Sequence, residues 1–468
     1  MGVMDILHSA AQVLPEVKAP AQPPSTKERI IWTGTALILF FIMYNIGCFG
    51  VIRSTAGIDF LQTITAANIG TLLTAGIGPI VLASIFLQLF VGAGIINMDL
   101  KNKDDKQKFL EVQKILAILL AFGEAAIFVL GGRTAITQVA GLPLASIQLL
   151  VILQIGMGSV FILYLDEIVT KYGIGSGISL FIAAGVSLTI VSGFFGLIVG
   201  TNGVISSVVG GGAEGLPNAV IAMLPFFFTV VVFLAVVFAE SIKVEIPIAF
   251  ERVRGMVPKL PLKYFYVSNI PVIFASALLL NIQLFAGAAL VHANLPFIGF
   301  VDSNNMLRDG ILYFITPISQ TGGTIANWNF ITNGVTPIYG IPEWVHAITY
   351  ALFLSLTSVL FGLFWVETAN MDAKSVAEQL SSSGLQIPGF RRDPRMLETI
   401  LNKHILPLTV LGSFSVGLLA SVADLTGALG TGTGILLSVG IYYRMYEQLE
   451  QMRAFEMYPS ISKIIGTS

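Results

Sequence analysis

Of the 468 residues, 55% are apolar or aromatic and only 11% are Asp, Glu, Lys or Arg, against about 25% charged residues in soluble domains. That excludes a soluble enzyme, a nucleic-acid binder with a basic face and a disordered scaffold. It also argues against an outer-membrane barrel, whose alternating strands give a weaker apolar signal. What remains is an all-α polytopic membrane protein, as the mean hydropathy of +0.83 suggests. The net charge of −2 says nothing about partners. The single Cys48 permits neither an intrachain disulfide nor a cysteine metal cage, and reads as a small buried hydrophobe.

Residues 1–29 do not read as a signal peptide: Pro15, Pro20, Pro23 and Pro24 alternate with charges, and no long apolar core precedes them. Val3, Ile6, Leu7, Ala10 and Val13 lie near helical spacing and predict a short surface helix over 2–14, with a frayed tail as the alternative. A helical span takes about 20 apolar residues. Ten segments qualify: 30–50, 72–96, 110–131, 144–165, 176–199, 218–239, 265–286, 343–366, 404–423 and 432–449. Residues 57–69 (GIDFLQTITAANI) are too short to cross and predict a re-entrant or surface-lying half-helix. Five segments precede the 200–217 connection and five follow. The expected units are a first half over 30–199, an external hinge at 200–217, a second half over 218–449 and a tail over 450–468. An odd number per half inverts one half relative to the other, and inverted repeats place a pathway at their interface.

Charge in the loops sets the orientation. With both termini cytoplasmic, the outer loops hold Arg53, Arg133 and Arg308 and no lysine. The inner loops hold Lys101, Lys103, Lys106, Lys108 and Lys171, then the basic patches of 240–264 and 367–403. The expectation is a multi-pass protein of the plasma membrane with both ends inside.

Metalloprotease, serine-hydrolase, P-loop and dinucleotide motifs are all missing from the sequence, and the four histidines are scattered at segment ends and loops. The chain is therefore expected to be no enzyme and to use no cofactor or metal. Ionisable residues at membrane depth are functional candidates by default, but here there are few: Glu124 in the third segment and Asp424 near the end of the ninth. Glu124 reads either as functional or as one acid facing a polar neighbour such as Asn281 or Gln283. An inverted-repeat secondary solute transporter, the rival reading, would want a polar, charged midplane. This midplane is mostly Ile, Val, Leu and Gly. Glycines instead loosen the openings of two segments, at Gly76 and Gly78 beside Pro79 and at Gly173, Gly175 and Gly177. Spacings of four pair Ile77 with Val81 and Ile174 with Ile178, each pair on one helical face.

The stretches TAGIGPIVLASIFLQL (74–89) and YLDEIVTKYGIGSGISLF (164–181) resemble the two signature regions of the SecY family, the large subunit of the Sec protein-conducting channel. The likeness continues in YVSNIPVIFASALLLNIQ (266–283), FWVET (364–368), PGFRR (388–392) and GALGTGTGILLSVGIYYRMYEQ (427–448), with an archaeal flavour. It implies ten helices in two pseudo-symmetric inverted halves around an hourglass pore. It also implies passage of unfolded polypeptide and lateral release of apolar segments into lipid. Implied partners are a ribosome, a signal sequence, a single-span gamma subunit (SecE) clamping both halves and a small beta subunit, with no DNA.

Carried over residue by residue, the resemblance assigns a pore ring of Ile77, Val81, Ile174, Ile178, Ile273 and Leu437. Residues 57–69 match the plug, with Ile58, Phe60, Leu61, Ile64 and Thr65 in it. The lateral gate lies between segments two and seven, at Glu124, Asn281, Leu82 and Gln88. Leu82 departs from the pattern, which can carry a hydroxyl there, so a polar cluster would hold this gate with fewer bonds. Ribosome docking falls to Arg252 and Arg254 in one inner loop and to Arg391, Arg392 and Arg395 in the other. Plain positive-inside topology explains those charges equally well.

Overall fold

The computed structural model describes residues 14–457, except 53–58, 93, 97, 99–101, 133, 138–142, 201–202, 211–214, 248, 251–258, 294, 302–306, 319–322, 383–384 and 387–393. Nearly all of the expected surface helix lies outside them. The first half comprises α1 (Thr26–Asn45), β1 (Val51–Ile52), α2 (Asp59–Ile64), α3 (Gly78–Gly92), α4 (Lys103–Leu130), β2 (Ala135–Ile136), α5 (Leu144–Tyr172) and α6 (Gly177–Val199). The connection holds α7 (Val204–Gly210) and α8 (Gly215–Ala222). The second half comprises α9 (Leu224–Ser241), β3 (Lys243–Pro247), β4 (Ala249–Phe250), β5 (Lys259–Lys263), α10 (Ile270–Ala293), β6 (Phe300–Val301), β7 (Leu307–Asp309), α11 (Gly323–Asn333), α12 (Glu343–Thr368), α13 (Ala373–Ser382), β8 (Leu385–Gln386), α14 (Pro394–Leu425) and α15 (Gly432–Met457).

Ten of these helices coincide with the ten expected segments: α1, α3, α4, α5, α6, α9, α10, α12, α14 and α15. Among the described residues, six stretches are long and apolar enough on their own to cross a membrane. Helix ends follow local chemistry rather than hydropathy. Ser25 and Glu28 form a reciprocal capping box that starts α1 four residues before the apolar run. Asn102 caps α4, and Asp104 and Asp105 occupy its first turn, where the helix dipole favours acids. The long loops hold structure that hydropathy does not show. Within 367–403, α13 packs Ala373 and Ala377 against Leu397 and Leu401 of α14.

The second segment differs most from expectation. Residues 72–77 are not helical, and α3 has 15 residues, about 22 Å. The chain before it is held by backbone bonds instead: Cys48 N–H to Gly70 O (2.9 Å), Leu72 N–H to Ile46 O (3.0 Å) and Asn68 N–H to Leu73 O (3.0 Å). Irregular backbone at this depth is tolerated because protein surrounds and bonds it.

The halves meet along two seams. In one, α3 packs on α10 and α12; in the other, α6 packs on α15. Small residues allow the second approach: a Cβ on Gly430 would lie 2.8 Å from Ile190 Cγ1, and one on Gly434 3.2 Å from Val186 Cγ2. One apolar core crosses both halves and includes Phe40 stacked on Phe181 at 5.1 Å.

On the face carrying most of the lysines, residues 15–18 strap the ends of α4 and α5. Lys114 bonds Pro15 O (2.8 Å) and Glu167 (2.5 Å), and Tyr172 O–H donates to Lys18 O (2.8 Å). Lys171 pairs with Glu16 and holds its carboxyl below the usual range. There, two antiparallel ladders organise the basic loops: β3 with β5, and β4 with β8, which joins the 240–264 loop to the 367–403 loop.

The opposite face is organised by two carboxylates. Glu343 accepts from Tyr313 O–H (2.9 and 3.0 Å) and meets His346 Nδ1 (3.1 Å), whose Nε2 bonds Thr316 O (2.8 Å). Asp309 accepts from the N–H of Gly310 (2.8 Å), Ile338 (2.9 Å) and Tyr339 (3.0 Å), pinning β7 to the turn before α12. Burial opposes the Asp309 charge, but these donors prevail and hold its carboxyl below the ordinary 3.8. A depressed folded value means the contribution is full above the ordinary value and is lost as pH falls through the lowered one. Acidification should therefore expose the Ile338 and Tyr339 amides to hydrogen exchange, and Asp309→Ala should expose them at neutral pH. Protection unchanged in the variant would refute the role.

Candidate functional site

Where the halves meet, α2 touches α6, α10 and α15, helices from both sides of the molecule. Its C-terminal end sits directly on the apolar centre. Thr65 O accepts from Ile77 N–H at 2.9 Å. Ala66 adopts a left-handed backbone (φ 49°) and lies against α6, where a Cβ on Gly185 would meet Ala66 Cα at 3.3 Å. A Cβ on Gly434 of α15 would meet Thr63 Cγ2 at 2.7 Å. Gly76 is required twice over: its φ is +54°, and a Cβ would fall 2.2 Å from Thr65 O. Ile64 and Thr65 are buried here. Ile58 and the side chains of Phe60 and Leu61 lie outside the described residues.

Beneath this segment, Ile77, Val81, Ile273 and Leu437 are buried in one continuous apolar cluster, with Ile178 partly buried against it. Ile174 is buried but belongs to none of the clusters among the described residues. Ile77 O accepts from Val81 N–H (3.1 Å), so the expected one-turn relation holds across the start of α3. The equivalent relation fails for Ile174 and Ile178. Helix α6 begins only at Gly177, and Gly175 at φ +73° turns the chain between them. Two glycines flanking Ile174 favour a corner over another helical turn.

Leu82 and Gln88 of α3, Asn281 of α10 and Glu124 of α4, the residues assigned to the gate, are all buried, and α3 packs on α10. Glu124 lies against the start of α3, where a Cβ on Gly78 would meet its Oε2 at 3.0 Å. Gln88 Nε2–H donates to Ser84 Oγ (3.1 Å) and Asn281 Nδ2–H to Ala277 O (2.8 Å), each within its own helix. Oxygens Gln88 Oε1, Glu124 Oε1 and Asn281 Oδ1 are buried with no partner. The polar side chains of Gln88 and Asn281 therefore bond within their own helices and not to one another. The alternative pairing of Glu124 with Asn281 is not made.

Of the five arginines assigned to docking, Arg395 opens α14, while Arg252, Arg254, Arg391 and Arg392 lie outside the described residues. Among the described residues, no group of three or more His, Cys, Asp or Glu could hold a metal. Sequence reasoning missed the residues that receive the half-helix: Gly185 of α6 and Gly434 of α15. The small residues in FIAAGVS and GTGTGILLS are the only trace of that contact in the sequence.

The sequence profile of the family described as SecY matches residues 71–446. The protein translocase subunit SecY of Methanocaldococcus jannaschii is 45% identical over 458 residues, covering 97% of this chain and 98% of that one. A solved SecY structure, reported to have a plug domain that stabilises the closed translocation channel and maintains a membrane seal, superposes with TM-score 0.80 at 42% identity, over 99% and 100% of the two chains. Sec61 in the canine ribosome–channel complex of the endoplasmic reticulum gives TM-score 0.80 at 43% identity, with the same coverage.

Proposed function

The chain belongs to the SecY family and is of the archaeal type, and from that premise we infer which of its residues pass, seal and release a polypeptide. It is the central subunit of a protein translocation channel, not an enzyme. It passes unfolded polypeptides across the membrane and lets transmembrane segments leave sideways into lipid. The solute-transporter reading has no support.

The observation that carries the residue-level reading is the seat of the short helix. Thr65 O is bonded to Ile77 N–H, and Thr63 and Ala66 lie against glycines of α15 and α6. In this reading residues 57–69 are the plug, and Ile77, Val81, Ile174, Ile178, Ile273 and Leu437 form the constriction. Apolar rings gate by dewetting, because they offer an ion nothing in place of its hydration water. They also yield to a passing chain without gripping it. The α3–α10 seam is the lateral gate. Units 30–199 and 218–449 move about the 200–217 hinge.

Partners follow from the faces. The basic face is cytoplasmic, with both termini there and the bilayer being the plasma membrane; the Lys/Arg asymmetry supports this. The β4–β8 ladder supports one docking surface for the ribosome, built from Arg252, Arg254, Arg391, Arg392 and Arg395; such a surface binds a polyanion electrostatically. No P-loop occurs in the sequence, so ribosomal elongation supplies the driving force. The outward apolar face of α9, with Phe227, Leu234 and Phe238, suits lipid or the single-span SecE subunit. A small beta subunit completes the complex.

Replacing Ile77, Ile178 and Ile273 together by Gly should raise ion leak through the reconstituted channel in planar bilayers, and unchanged conductance refutes the ring. Arg391→Glu should weaken ribosome binding while leaving insertion of the chain intact; equal affinity sinks the docking role. Asn281→Leu removes an unpartnered buried acceptor and should tighten the closed gate by roughly 1–3 kcal/mol. Precursors with weakly apolar signals should then lose transport first, in a protease-protection series of graded signal hydrophobicity. An unshifted threshold counts against it.

A further inference from the structure

Both ring residues contributed by the α5–α6 corner have their backbone amides held by side chains from other helices. Ile178 N–H donates to Asp166 Oδ1 of α5 at 2.8 Å, and Gly177 N–H bonds the same carboxylate. Ile174 N–H donates to Thr33 Oγ1 of α1 at 3.1 Å. Thr33 O–H is itself fixed, donating to Arg29 O at 2.8 Å.

These contacts supply what the local sequence lacks. The first N–H groups of a helix have no partner within it, and Ser176, at the cap of α6, makes no side-chain cap bond. Asp166 provides the cap from the neighbouring helix, with a charge that suits a helix N-terminus. Among the described residues it is in no ion pair. Gly177 makes room: a Cβ there would fall 2.6 Å from Asp166 Cα and 2.8 Å from its Oδ1. At the other amide, a Cβ on Gly173 would fall 2.8 Å from Thr33 Oγ1. Cap, hydroxyl and glycines together determine where Ile174 and Ile178 stand, since no continuous helix links them.

We propose that Asp166 and Thr33 are positioning residues of the pore seal: they hold the amides of Ile178 and Ile174 and thereby set how tightly the ring closes. The proposal rests on the ring assignment made above. Acceptor function, not side-chain bulk, is the property that matters, so conservative replacements separate this role from general packing.

The test is ion conductance of the complete reconstituted channel complex in planar bilayers, without substrate, beside Ile178→Gly. Asp166→Ala should leak at a level approaching Ile178→Gly, and Asp166→Asn, which keeps an acceptor, should restore most of the seal. Thr33→Val should leak and Thr33→Ser should not. If Ile178→Gly leaks while Asp166→Ala and Thr33→Val stay tight, the positioning role is overturned and the ring stands. If Ile178→Gly is tight as well, both fall. Asp166→Asn leaking as much as Asp166→Ala also overturns the role of the acceptor. Should Asp166→Ala not assemble, the Thr33→Val and Thr33→Ser pair decides alone, with a tight Thr33→Val overturning the proposal.

Discussion

A pore that admits an unfolded chain must hold back ions when empty, and it has to do so with groups that bind neither. The proposed ring meets that requirement: Ile77, Val81, Ile273 and Leu437 sit in one unbroken apolar cluster, and the half-helix packs through Thr63 and Ala66 onto glycines. It also explains the scarcity of ionisable side chains in the spans. A charge in the constriction would give ions a place to rest and would bind every oppositely charged segment passing through. Aliphatic rings avoid both, so the polar work is moved outward. Asp166 and Thr33 bond the backbone amides of Ile178 and Ile174, and Asp309 and Glu343 fasten the loops of one face.

The seam between α3 and α10, as the proposed lateral gate, has a different task, because a gate must part. The polar side chains assigned to it are satisfied within their own helices or left short of a partner. Buried acceptors without donors raise the free energy of the closed state by about 1–3 kcal/mol each. Water or a substrate reaching the seam would relieve them. In that reading apolar packing keeps the gate shut, with Leu82 buried, and the orphaned oxygens keep the closure shallow.

Much of this was legible in the sequence, and the limits have physical causes. The ten spans emerged because hydropathy integrates over about 20 residues. Their ends did not, because ends are set by single side chains such as Ser25, Glu28 and Asn102. Helix α13 was hidden in a polar stretch whose apolar stripe is only two turns long. Ile77 and Val81 met the expected spacing because Ile77 O starts the bonds of α3. Ile174 and Ile178 did not, because Gly175 turns the chain between them. The family resemblance supplied the proposed constriction, gate and plug, but the seat of the half-helix on Gly185 and Gly434 is a contact between distant segments. No local pattern encodes such a contact.

The bond between Thr65 O and Ile77 N–H joins the proposed plug to the proposed ring through main-chain atoms alone. It is therefore insensitive to side-chain substitution at its own two positions: alanine at either leaves the carbonyl and the amide where they were, whereas a side chain at Gly76 would crowd Thr65 O. Evolution has the same freedom at positions 65 and 77, where the side chain can change without removing the carbonyl or the amide. Of the twenty residues, only proline at position 77 would remove the donor outright.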